Sequence, residues 1–136
     1  MKIALAQLNY HIGNFESNAQ KIISTARKAK ESGADLVVFS ELSVCGYCPC
    51  DLLERADFVS ECNATVEKII AECADIPMII GAPLTNVENH GKRLYNAALF
   101  IADGNVKSQC KTVLPNANVM NEHRYFEASD KFDLVN

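Results

Sequence analysis

Apolar positions recur along the chain in two alternating rhythms. Residues 2–9 interleave Ile3, Leu5 and Leu8 with small Ala4 and Ala6, the pattern of a strand covered on both faces. Gly13-Asn14 follows as a turn and helix cap. Phe15, Ala19, Ile22, Ile23, Ala26 and Ala29 then recur at helical spacing. Glu16 in the first turn and Arg27, Lys28 and Lys30 in the last suit the helix dipole. Gly33 stands where a left-handed residue ends a helix. Leu36-Val37-Val38-Phe39 is a short apolar run. A helix of this length before it predicts a strand parallel to the first. Strand, helix, strand predicts an α/β layer with a right-handed crossover.

Residues 43–49 show no period and read as a loop. Asp51-Leu52-Leu53-Glu54 has the form of a capping box opening a short helical turn. A second long helix keeps Phe58, Val59, Cys62, Val66, Ile69, Ile70 and Cys73 on one face. Pro77 introduces a strand at Met78-Ile79-Ile80-Gly81-Ala82, and another apolar run spans residues 94–101. Asp103-Gly104 is a hairpin turn, from which residues 106–110 return as the partner strand and deliver Lys111. Residues 116–136 read as loop, with Asp133-Leu134-Val135 as the start of a further strand. The last apolar residues lie at the extreme C-terminus, with no closing helix. A sheet that begins two-sided is thus expected to need more chain or a partner over its uncovered face.

At 136 residues, 49% of them hydrophobic, the chain suits one domain with a real core. Charged residues at 22% do not indicate disorder. A net charge of −4, with no basic run longer than two, argues against a nucleic-acid or anionic-membrane surface. The apolar run at the N-terminus is too short for a secretory signal, and no stretch is long enough to span a bilayer. The six cysteines therefore read as reduced thiols of a cytoplasmic protein.

Two charged residues stand at predicted strand ends. Glu41 lies just past a parallel strand, where ligands of open α/β sheets bind, and a carboxylate there can act as a general base. Taken alone, it is better read as a solvated glutamate. Lys111 can stabilise negative charge developing in a transition state, but taken alone it is better read as an exposed lysine. Cys45, Cys48 and Cys50 form Cys-x-x-Cys-x-Cys, which could hold zinc with a fourth ligand from His11, His90 or His123. The histidines have no mutual spacing of interest. The favoured reading of the cysteines is structural or incidental thiols, with a metal site or a redox pair as the alternative, and no metal ligand is assigned.

The stretches Val38-Phe39-Ser40-Glu41-Leu42, Cys45-Gly46-Tyr47, Lys111-Thr112-Val113-Leu114-Pro115 and Glu122-His123-Arg124-Tyr125-Phe126-Glu127, in this order, resemble the nitrilase (carbon–nitrogen hydrolase) superfamily. Within it the likeness is to the glutaminase domains of glutamine-dependent NAD synthetases. It covers essentially the whole chain, since residues 2–9 and 79–83 also fit. The resemblance implies an α/β fold: part of an α-β-β-α sandwich, with a mixed sheet, helices on one face, and a C-terminus that is incomplete. Residues 1–136 are then the N-terminal part of the glutaminase domain, and the synthetase domain is absent.

The implied chemistry is a Glu–Lys–Cys triad that cleaves an amide through an acyl-enzyme. Glu41 matches the general base, Lys111 the stabiliser of the tetrahedral intermediate, and Glu122 a supporting carboxylate. The ammonia freed from glutamine amidates deamido-NAD to NAD, with ATP and magnesium used by the synthetase domain. No cofactor is implied for this chain itself, and association into a homo-oligomer is. Three departures stand out. No cysteine follows Cys110, whose side chain should face away from that of Lys111, so the chain alone is expected to be inactive. Ala117 occupies a position where relatives usually carry a glutamine-binding tyrosine. In the loop Cys45-Gly46-Tyr47-Cys48-Pro49-Cys50, Tyr47 is followed by Cys48-Pro49 where relatives usually carry Pro-Pro. A stand-alone amidase of the same superfamily and a non-catalytic interaction module are the alternatives.

Overall fold

The structure, a computed structural model, describes residues 1–88, 90–117 and 120–132. β1 (Ile3–Ala6), α1 (Phe15–Glu31) and β2 (Leu36–Phe39) form one βαβ unit; α2 (Ala56–Glu72) and β3 (Met78–Thr85) repeat it. These three strands are parallel neighbours. β4 (Leu94–Ala102) runs antiparallel to β3, and β5 (Asn105–Cys110) antiparallel to β4. Sheet order is therefore chain order. The α/β layer and the hairpin predicted from the alternating periods are observed, and together they make the mixed sheet that the resemblance implied.

Both helices cover the same face. Their buried stripes are the predicted ones: Phe15, Ala19, Ile22, Ile23 and Ala26 on α1, Phe58, Cys62 and Ile69 on α2. The rings of Phe15 and Phe58 meet at 5.0 Å, tilted by 58°, and tie the helices together. Beneath them lie Val37 and Phe39 of β2, Met78, Ile80 and Ala82 of β3, and Leu99 and Ile101 of β4, all buried. The alternate residues point to the opposite face, as strand geometry requires. There Ile3 and Leu5 are 46% and 76% exposed, and Val38, Ile79 and Phe100 are half-buried. Among the described residues no layer covers this face.

Local signals explain most boundaries. Asn14 caps α1 by accepting from the Ser17 N–H at 3.2 Å. Gly33 takes φ +76° just past the helix, the left-handed conformation expected of it. Asp103 and Gly104, at φ +51° and +73°, form the two-residue turn between β4 and β5. β1 stops at Ala6 rather than residue 9, because its partner β2 ends at the paired Phe39 and leaves residues 7–9 without a neighbour. No capping box forms at Asp51. Pro49 stands at the cap of the 3-10 turn Cys50–Glu54, and Asp51 instead binds the Tyr125 hydroxyl and Arg124.

Residues 116–132 are more structured than a loop. β6 (Asn116–Ala117) pairs with β7 (Met120–Asn121), a 3-10 turn follows at Glu122–Arg124, and β8 (Phe126–Glu127) pairs with Leu94 and Tyr95 of β4. Two-residue strands carry no readable alternation. The expected strand start at 133–135 lies outside the described residues.

Candidate active site

Three segments meet on the open face of the sheet. The first is the turn after β2. It carries Glu41 and presses on β3 at Gly81, where a Cβ would stand 2.3 Å from the Leu42 nitrogen, 2.8 Å from the Ser40 carbonyl oxygen and 2.9 Å from the Glu41 carbonyl carbon. Only glycine permits this approach. The Gly81 N–H donates to Ser43 Oγ at 3.2 Å, and the Val44 N–H donates to the Gly81 carbonyl at 3.2 Å, so the turn is bonded to β3 beside the contact. Leu42 adopts φ +48°. That conformation costs a leucine about 1–2 kcal/mol, and full burial of its side chain offsets it.

The second segment follows β5. The Lys111 N–H donates to the Asn96 carbonyl at 2.8 Å, one further rung beyond the β4–β5 ladder, and Ser129 N–H donates to the Lys111 carbonyl at 3.0 Å. The third is the 3-10 turn after β7, opened by Glu122, whose N–H donates to the Pro115 carbonyl at 3.1 Å. These anchors bring the three charged residues together. Lys111 Nζ lies 2.8 Å from Glu41 Oε1, and 3.2 and 3.1 Å from the two oxygens of Glu122. Glu122 is 2% exposed, a burial that a carboxylate tolerates only when paired. Burial works against the charge on Lys111, but its hydrogen bonds to Glu41 and Glu122 outweigh that and hold its pKa above the ordinary lysine value. Lys111 is therefore a cation at neutral pH, suited to stabilising negative charge and not to accepting protons.

A fourth residue completes the cluster. Asn96, 4% exposed in the middle of β4, donates through Nδ2 to Glu41 Oε1 at 2.6 Å and to Glu122 Oε2 at 3.3 Å. Lys111 and Asn96 thus both bind Oε1 of Glu41, and no described residue donates to Oε2. The strand pattern hid Asn96 inside the apolar run 94–101. Its signal was there: an amide in a buried strand must find partners, and two carboxylates supply them. The residues enclose a cleft of about 330 Å³ lined by Ser40, Glu41, Ile79, Gly81, Asn96 and Lys111.

Ala117 does not join this cluster. It is exposed on β6 and is not among the residues lining the cleft. Cys110 lines a separate groove with Tyr95 and Ser129, as strand alternation predicts. The three loop cysteines do not converge. Cys45 is buried with its thiol toward the Leu42 and Gly46 carbonyls, at 3.7 and 3.6 Å, whereas Cys48 and Cys50 face each other at 3.7 Å. Among the described residues, no three His, Cys, Asp or Glu side chains are grouped to hold a metal ion.

The architecture is thus an α/β fold, a mixed sheet with helices on one face and two carboxylates around a lysine on the other. The carbon-nitrogen hydrolase family model matches residues 2–136, and the chain belongs to that family. It is 42% identical over 126 residues to the glutamine-dependent NAD(+) synthetase of Acinetobacter baylyi, covering 92% of this chain and 23% of that protein. Against the synthetase of Xylella fastidiosa it is 39% identical over 129 residues, covering 93% and 23%. The solved glutamine-dependent NAD+ synthetase from Acinetobacter baumannii, in complex with ADP, matches at TM-score 0.81 and 38% identity, over 98% of this chain and 25% of that one. An amidase from Nesterenkonia sp. shares the fold, at TM-score 0.77 and 24% identity. The chain thus spans about a quarter of the length of the synthetases it matches.

Proposed function

We propose that residues 1–136 are the N-terminal part of a glutaminase domain that hydrolyses the side-chain amide of glutamine within a glutamine-dependent NAD synthetase. The observation that carries this is the Lys111 ammonium bridging Glu41 and Glu122 at the mouth of the cleft. An ammonium has three N–H donors. One reaches Glu41, the two Glu122 oxygens at 3.2 and 3.1 Å can share a second, and the third is then available to the oxyanion of a tetrahedral intermediate. Glu41 has one oxygen taken by Lys111 and Asn96; the other can accept the proton of an attacking thiol. Glu122, buried, holds Lys111 in place.

The attacking cysteine is placed in chain beyond residue 136, so residues 1–136 alone do not turn over. The uncovered apolar face with Ile3, Leu5, Val38, Ile79 and Phe100 supports this assignment, since a second layer has a ready surface there. The identity to the two synthetases favours glutamine over the substrates of stand-alone amidases. The released ammonia then amidates deamido-NAD in a separate ATP- and magnesium-using domain. These residues fit no such metal: the space between Glu41 and Glu122, where a cation would sit, is filled by the Lys111 ammonium. No described helix is long and apolar enough to cross a membrane. A cytoplasmic homo-oligomer is the form proposed for the whole enzyme.

Ammonia release from glutamine, measured for the full-length gene product and for residues 1–136 side by side, tests the assignment. Release by the longer protein alone is expected. Comparable release by residues 1–136 would overturn the placement of the nucleophile, and its absence from both would overturn the activity.

A further inference from the structure

Cys48 and Cys50 flank Pro49 on the loop between β2 and α2. The Cys50 thiol donates to Cys48 Sγ at 3.7 Å. Cys50 is exposed and Cys48 half-buried, whereas Cys45, Cys62 and Cys73 are fully buried and out of reach of any reagent. Two thiols in contact at the surface are a chemical site in their own right. From the geometry we propose that Cys48 and Cys50 form a reversible dithiol–disulfide site, oxidised by low-molecular-weight disulfides of the glutathione type.

The step balances by thiol–disulfide exchange. The exposed Cys50 thiolate attacks one sulfur of the oxidant, forms a mixed disulfide and expels one thiolate. Cys48, deprotonated, then attacks Cys50 Sγ, forms the Cys48–Cys50 bond and expels the second. The protein loses two hydrogens and the oxidant becomes two thiols. Burial pushes the Cys48 thiol up, which suits the second role, where contact compensates for a low thiolate fraction.

The pair is also placed to act on the cleft. Cys48 and Tyr47 line a crevice against Asn121, Glu122 and Tyr125. On the other side of the pair, Asp51 accepts from the Tyr125 hydroxyl and pairs with Arg124 at 3.0 Å. The 3-10 turn that carries Glu122 thus faces Cys48 across a crevice and is bonded to Asp51, the residue after Cys50. Drawing two sulfurs from contact to bonding distance pulls on that turn and, through Glu122, on Lys111. This consequence for turnover rests on the function proposed above; the modification itself does not.

The test uses the full-length gene product equilibrated with oxidised and reduced glutathione, read by mass spectrometry of the peptide containing both cysteines. Loss of two hydrogens is expected, reversed by dithiothreitol. Cys48→Ser should instead trap a glutathione adduct on Cys50, because the resolving thiol is gone. A stable glutathione adduct in the unsubstituted protein, or no change under oxidising ratios, overturns the proposal. In parallel, ammonia release from glutamine should fall roughly tenfold further on oxidation in the unsubstituted protein than in the Cys48→Ser/Cys50→Ser protein, which keeps the same attacking thiol and so reports any loss at that thiol alone. Disulfide formation with unaltered turnover would overturn the link to Glu122. Lack of any glutamine hydrolysis in the reduced protein would instead refute the proposed function and leave the thiol result standing.

Discussion

Replacing Gly81 with alanine adds one methyl group, and the structure says where it goes. The new Cβ would stand 2.3 Å from the Leu42 nitrogen. Reaching an ordinary contact beyond 3.4 Å means separating the two by about 1.1 Å. The obstructing atoms are backbone, so no rotamer change relieves the clash. Hydrogen bonds from Gly81 to Ser43 and from Val44 to Gly81 tether the same turn, which must yield as a unit. Overpacking of this kind costs about 1–3 kcal/mol, and tethered backbone puts Gly81→Ala near the upper end. The displaced segment carries Glu41, and a shift of about 1 Å at a reacting group lowers rate by roughly a hundredfold. Urea unfolding followed by circular dichroism, together with kcat/KM for ammonia release from glutamine by the full-length gene product, reads both effects. A Gly81→Ala protein with unchanged midpoint and turnover would refute the close approach and its role in placing Glu41.

Four further outcomes follow from the structure. Lys111→Met leaves the buried Glu122 carboxylate without its counter-charge and should destabilise the protein by about 3 kcal/mol, with much of the loss recovered on adding Glu122→Gln in a double-mutant cycle. Because the pKa of Lys111 is raised on folding, its contribution should be fully present below the ordinary value of 10.5 and vanish as pH rises through the raised one; the difference in unfolding midpoint between Lys111→Met and the unsubstituted protein, followed into alkali, checks this. Asn96→Ala removes donors to two carboxylates and should cost about 2 kcal/mol, lowering kcat more than it changes KM, as steady-state kinetics will report. Tyr10→Phe should raise the urea midpoint by about 1 kcal/mol equivalent, since the Tyr10 hydroxyl is buried with no described partner. That burial also pushes its pKa up to about 12.

Elements with a strong period were legible before any coordinates. The apolar stripes of α1 and α2 and the continuous runs in β2 and β4 name their own faces, because burial acts on side chains at fixed intervals. The hairpin at Asp103-Gly104 was legible for a different reason: both of its residues tolerate positive φ. Glu41 and Lys111 stood out only as charges at strand ends, and each alone was indistinguishable from a solvated side chain. Their meeting depends on sheet order, which puts β3 and β4 between them, and on Gly81, which lets the Glu41 turn sit against β3. Neither is written in local pattern. Asn96 was concealed by the strand around it. The pairing of β8 with β4 was concealed by its length, since two residues fix backbone hydrogen bonds without leaving a side-chain period. The contact between Cys48 and Cys50 likewise depends on the conformation of an aperiodic loop.

The most direct test of the carboxylate–lysine site is Glu41→Gln in the full-length gene product. The amide keeps the shape of the side chain and removes its capacity as a base. Glutamine-dependent ammonia release should fall by about 10² to 10⁴-fold. NAD formation supplied with free ammonia should continue at the unsubstituted rate, showing that the rest of the enzyme is intact. Glutamine hydrolysis undiminished by Glu41→Gln would contradict the assignment of Glu41 as the base.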